Sequence, residues 1–201
     1  MHRAKIDEQN RYLLRQQHDF RRAADIVTDA LMAFAEVEAV AVIGSVAKPL
    51  WKEVPRFSDF RRAGIEVWHE CKDLDLTVWI SSQHRLGELR RARDRALRRA
   101  YDAGTGPSTA NHQVDIFLIE PGTDRYLGRL CDFSTCPKDK PDCAVPGCGD
   151  IPFNKRVAGF EPHADLLAMA TYATLYRRGE GRLQSALDLP RTDDGDRRAT
   201  R

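Results

Sequence analysis

Long apolar runs are missing from this sequence. No window approaches the ~18 consecutive apolar residues that cross a bilayer, so no membrane span is expected. The opening stretch MHRAKIDEQNRYLLRQQ is charged from its start and lacks the apolar segment of a secretory leader. A cytoplasmic protein is expected. In that reducing compartment its five cysteines should not form routine disulfides. An excess of either charge is missing too. The 32 basic residues nearly balance the 30 acidic ones, leaving +2, so no global attraction to nucleic acid is expected. There is no P-loop or dinucleotide fingerprint, no Ser-His-Asp or Cys-His arrangement and no internal repeat. What is present suffices for one substantial domain: 201 residues, 42% hydrophobic, with 31% charged residues to solvate the surface.

Apolar residues recur at helical spacing over residues 10–37, at Leu13, Phe20, Ala24, Val27, Leu31 and Phe34, with charges between them. This predicts one long amphipathic helix. AVAVIGS follows, a β-branched run that predicts a buried strand entering a tight turn at Gly44-Ser45. Ser45 is placed to cap a short helix, with Pro49 in its first turn and Pro55 at its end. RFSDFRRAGIEVWHE reads as irregular or partly extended. A strand is predicted over 74–80, a helix over 83–101 with Leu86, Leu89, Ala96, Leu97 and Ala100 inward, and a third strand in HQVDIFLIE after the loop DAGTGPSTAN. PHADLLAMATYATLYRRG predicts a final helix, with Pro162 at its start and Gly179 past its end. PRTDDGDRRATR has few apolar groups and is expected to be disordered. The order predicts an α/β or α+β domain, a small mixed sheet flanked by helices.

ECKDLDLTVWI raises a chemical question. Asp is depleted in strands and costly to bury, yet Asp73 and Asp75 sit one residue apart at the start of one. Side chains alternate along a strand, so both aspartates share a face with Thr77 and Trp79, while Leu74, Leu76, Val78 and Ile80 take the other. The third strand repeats the scheme: Val114, Ile116 and Leu118 on the buried face, Asp115 opposite. If the two strands are neighbours, three carboxylates converge. A divalent cation is the simplest partner for them, and oxygen-only ligands suit magnesium or manganese. Two such ions ~3.5–4 Å apart would serve phosphoryl or nucleotidyl transfer. Gly44 lets backbone approach a phosphate, and Ser45 with the following N–H groups can donate to it. The competing explanation pairs Asp73 with Lys72 or a nearby arginine and leaves Asp115 capping a strand edge.

VIGS, then DLD, then VDIF together resemble the nucleotidyltransferase superfamily that includes DNA polymerase beta, aminoglycoside nucleotidyltransferases and small bacterial MNT-type proteins. The family pattern is a hydrophobic residue followed by Gly-Ser, a later Asp-x-Asp and a third Asp on another strand. Here these are Gly44-Ser45, Asp73 with Asp75, and Asp115, and the resemblance covers about residues 10–120. It implies transfer of a nucleoside monophosphate from an NTP to a hydroxyl acceptor. Asp73, Asp75 and Asp115 would hold two magnesium ions, Asp115 would also position or deprotonate the acceptor, and Gly44 and Ser45 would hold the nucleotide phosphates. The chain departs from the pattern in the length of residues 46–72, which separate Gly-Ser from Asp-x-Asp. No counterpart of the large helical acceptor-binding domain common in the family is expected among these residues.

Cys131, Cys136, Cys143 and Cys148 are spaced Cys-x4-Cys-x6-Cys-x4-Cys among Pro and Gly; four thiolates at such spacing can hold structural zinc, which is favoured over unligated or redox-paired thiols. The organisation expected is a nucleotidyltransferase-like domain over 1–125, a zinc segment with the last helix over 126–179, and a disordered tail over 180–201. Arg85, Arg90, Arg91, Arg93, Arg95, Arg98 and Arg99 crowd one predicted helix. A solvated, ion-paired surface is favoured over an RNA-binding face. His69, His84, His112 and His163 show no evident partner in the sequence. The function expected is thus nucleotidyl transfer. The alternatives are a non-catalytic interaction protein on the same scaffold and an RNA-directed enzyme.

Overall fold

A computed structural model describes residues 2–123, 125–130 and 172–192. The first helix, α1 (Arg3–Leu31), turns Leu13, Phe20, Ala23, Ala24, Val27 and Leu31 inward at the spacing read from the sequence. It begins earlier and ends sooner than expected. Residues 32–36 reverse the chain through tight turns, with Phe34 N–H donating to Leu31 and Val37 N–H to Phe34.

Strand β1 (Val37–Ile43) runs into a single helical turn, α2 (Gly44–Ala47). That turn has Ile43 at its N-cap and no side-chain cap, so Ser45 lies inside it and Pro49 beyond it, contrary to expectation. Residues 46–72 then form a small annex: β2 (Lys52–Glu53), α3 (Asp59–Arg62) and β3 (Val67–Trp68), with β2 and β3 paired antiparallel. Next come β4 (Leu74–Ile80), α4 (Leu86–Asp102), a 3-10 turn at Asn111–Gln113 and β5 (Val114–Ile119).

Among the described residues a six-stranded mixed sheet has the order β6 (Tyr126–Leu130), β5, β4, β1, β7 (Ala173–Arg177), β8 (Gly181–Arg182). Only β4 and β5 pair in parallel, joined by α4 as parallel neighbours require. Strand β6 (Tyr126–Leu130) is an element the composition of residues 126–130 did not announce. The core gathers α1 and α4 over one sheet face, where Val40, Val42, Leu74, Leu76, Val78, Val114, Ile116 and Leu118 are buried. No helix among the described residues is long and apolar enough to cross a membrane.

Two expectations at the C-terminal end are corrected. The predicted final helix is a strand where it is described: β7 (Ala173–Arg177) pairs antiparallel with β1 and turns through Gly179 and Gly181 into β8 (Gly181–Arg182). ATLYR alternates as well as it spirals, and the β1 edge supplies the backbone partners that decide between the two periods. The tail expected from residue 180 is ordered as far as Thr192. Asp25 on α1 pairs with Arg182 and accepts hydrogen bonds from Ser185 Oγ and from Ala186 N–H at 2.8 Å, and Leu50 N–H donates to the Arg191 carbonyl. Residues 162–171 and 193–201 lie outside the described residues, as do Cys131, Cys136, Cys143 and Cys148 with the zinc site assigned to them.

Candidate metal centre

Paired residues on neighbouring strands share a face. Asp75 is opposite Asp115 in the parallel β4–β5 pair and opposite Ile43 in the antiparallel β1–β4 pair. The sheet therefore brings both carboxylates to the face away from α1 and α4, just beside the end of β1. Asp73, one step before β4, joins them. One carboxylate oxygen from each of Asp73, Asp75 and Asp115 lies within 4.8 Å of the others, with Asp73 exposed and the other two half-buried. The triad can hold a metal ion.

Two features of the surroundings fit such an ion. All donors are carboxylate oxygens, which suits a hard divalent cation. Gly44 also leaves the space beside them open. Its φ of +71° favours glycine, and a Cβ built there would stand 2.9 Å from Asp75 Oδ2. Among the described residues neither Asp73 nor Asp75 has a salt-bridge partner, so the Lys72 pairing is not formed. Asp115 differs: Arg129, on β6, donates from Nη1 to Asp115 Oδ2 at 2.8 Å. Burial, then the charges of Asp73 and Asp115, pushes the Asp75 carboxyl up to about 7, against the pull of Arg129.

The Gly44-Ser45 turn is held from below. Gln17 Nε2 donates to the Lys48 carbonyl at 2.9 Å and to that of Ser45 at 3.4 Å. Arg21, one turn further along α1 and 1% exposed, donates to the carbonyls of Val46, Lys48, Leu189 and Pro190. A buried guanidinium is tolerated here because carbonyl oxygens surround its forked donors. Burial pushes the Cys71 thiol up, and the Ser45 side chain beside it pulls the other way. Cys71 is fully buried and lies before β4.

Thr77 shares the triad's face, as expected. It is completely buried, and among the described residues its hydroxyl has no hydrogen-bond partner. Among the histidines, His112 and His84 are exposed. His69 does have partners, which sequence reasoning missed: its ring stacks on Trp51 at 3.8 Å and its Nδ1 lies 2.9 Å from Glu53 Oε1. The annex hairpin makes that contact, with His69 N–H donating to the Trp51 carbonyl. Phe57, Phe60, Trp68, His69 and Lys72 help line a cavity of about 420 Å³ there, one residue short of Asp73.

The arginine helix has a more structural character than its composition suggests. Arg93 is fully buried, donates to Asp94 and to the Val114 carbonyl, and so ties α4 to β5. Arg85 pairs with Glu88 and Glu36, and Arg98 with Asp102.

Comparison of the chain with family models, with curated proteins and with solved structures finds no match.

Proposed function

We propose that the protein is a metal-dependent nucleotidyltransferase. The observation that supports this best is the convergence of Asp73, Asp75 and Asp115 on one sheet face, beside a glycine turn that a side chain would obstruct. In the proposed reaction an acceptor hydroxyl attacks the α-phosphorus of an NTP. A new P–O bond forms, the bond to the bridging oxygen breaks and pyrophosphate leaves. The hydroxyl proton would pass to the Asp115 carboxylate. Asp73 and Asp75 would hold magnesium, and Gly44 and Ser45 would line the phosphates. A bound divalent ion would supply charge neutralisation at the triphosphate and activation of the attacking oxygen. The annex cavity, whose lining includes Lys72, the residue before Asp73 in the chain, would be the acceptor's place in this scheme, which gives the long 46–72 stretch a purpose.

A thermal-shift series with ATP, GTP, CTP and UTP, each with and without magnesium, tests the proposal. At least one nucleotide should raise the melting temperature only when magnesium is present. No magnesium-linked shift with any of the four would favour the non-catalytic interaction protein.

A further inference from the structure

The sequence pattern leads to an expectation of two metal ions on three aspartates. It cannot see Arg129, which lies on a strand of unremarkable composition 14 residues after Asp115. Register fixes this arginine at the site. Arg129 is opposite Phe117 in the β5–β6 pair, and Phe117 is two residues from Asp115 on the same face. Its side chain is 15% exposed, packed rather than free to swing into solvent. Among the described residues, Asp115 is its hydrogen-bond partner, through the Oδ2 that faces the guanidinium.

We infer that the site takes one divalent cation, held by Asp73 and Asp75, and that Arg129 serves Asp115 as a built-in cation where a second ion would otherwise bind. This rests on the metal-centre reading above and changes its stoichiometry. Three carboxylates and one guanidinium leave two negative charges, which one divalent ion balances. A second ion at Asp115 would have to displace, or lie against, a charge-assisted hydrogen bond already made to that carboxylate. An arginine cannot be deprotonated away at working pH, so the guanidinium is a permanent occupant. It also fixes the orientation of Asp115, leaving the carboxylate's other oxygen for an acceptor hydroxyl.

The test is a calorimetric titration of the full chain with Mn²⁺ alone, so that nucleotide and acceptor play no part. Wild type should take up one Mn²⁺ per chain. Asp75→Asn should abolish that uptake, and Asp115→Asn, which removes one negative charge but neither ligand, should weaken it by about tenfold without abolishing it. Arg129→Gln should gain either a second Mn²⁺ or at least about tenfold tighter binding of the first, while Arg129→Lys, which keeps the charge, should behave as wild type. Circular dichroism confirms that each variant is folded. Two ions per wild-type chain, or loss of uptake in Asp115→Asn, would overturn the one-ion inference while leaving a metal centre in place. No uptake by wild type or by Arg129→Gln would overturn the inference and the metal-centre reading together.

Discussion

Asp75 is the residue on which opposing demands meet. It is half-buried between two other carboxylates, and its pKa of about 7 lies above the unfolded value of 3.8. The folded state therefore binds that proton more tightly than the unfolded state. The stability this contributes is complete below about pH 4 and is lost as pH rises through 7. Without added divalent metal, thermal melts should show wild-type stability declining between about pH 4 and 7. Asp75→Asn should remove that component and be the more stable protein at pH 8, by on the order of 1–3 kcal/mol. A parallel decline in both proteins would show that Asp75 is not the group responsible. Gly44 gives a second residue-scale prediction. Gly44→Ala must hold a left-handed backbone at a cost of about 1–2 kcal/mol and push against Asp75 Oδ2. Mn²⁺ affinity should fall at least about tenfold in a chain that remains folded by circular dichroism; unchanged affinity would mean that the turn does not shape the site. Asp73, Asp75 and the glycine were legible in the sequence, because alternation and a Gly-Ser turn are local signals. Arg129 was not, because its contact with Asp115 exists only once β5 and β6 pair.

Elements differ in how openly they announce themselves. Strand β4 was read at the boundaries the structure shows, since LDLTVWI alternates cleanly between a buried leucine face and a polar one. Helices α1 and α4 were read from their apolar spacing, although Arg93 was assigned to solvent and is buried. Strand β7 was misread as helix because ATLYR satisfies either period and only the β1 edge decides. The segment from Ser185 to Thr192 looked like a solvated tail because its anchors lie far back in the chain, at Asp25 and Arg21. Arg21 is the element-scale test. Removing it strips donors from the carbonyls of Val46, Lys48, Leu189 and Pro190 together. Arg21→Ala should cost roughly 2–4 kcal/mol in urea denaturation, whereas Arg22→Ala, on the exposed side of α1, should stay within about 0.5 kcal/mol. In hydrogen exchange, the amide of Leu50, bonded to the Arg191 carbonyl, should lose protection in Arg21→Ala. Equal costs for the two substitutions would show that Arg21 is not the clasp between α1, the glycine turn and the C-terminal segment.

At the scale of the whole molecule, the sheet does two jobs with its two faces. One face buries leucine, valine and isoleucine against α1 and α4 and supplies the stability. The other collects the polar groups that a core would reject, and the parallel β4–β5 pair sets Asp75 and Asp115 side by side. Stability carried by the first face allows strain and like-charge crowding on the second. The annex of residues 46–72 adds a cavity, lined in part by Lys72, outside the six-stranded sheet. The central claim is that this polar face moves a nucleoside monophosphate. Its most direct test is incubation of the protein with α-phosphate-labelled NTPs, magnesium and cell extract, beside an Asp75→Asn protein matched for folding by circular dichroism. The account predicts a labelled product and pyrophosphate release with wild type and magnesium, and neither with Asp75→Asn. Equal labelling by the two proteins, or no labelling by wild type with any of the four nucleotides, would contradict it.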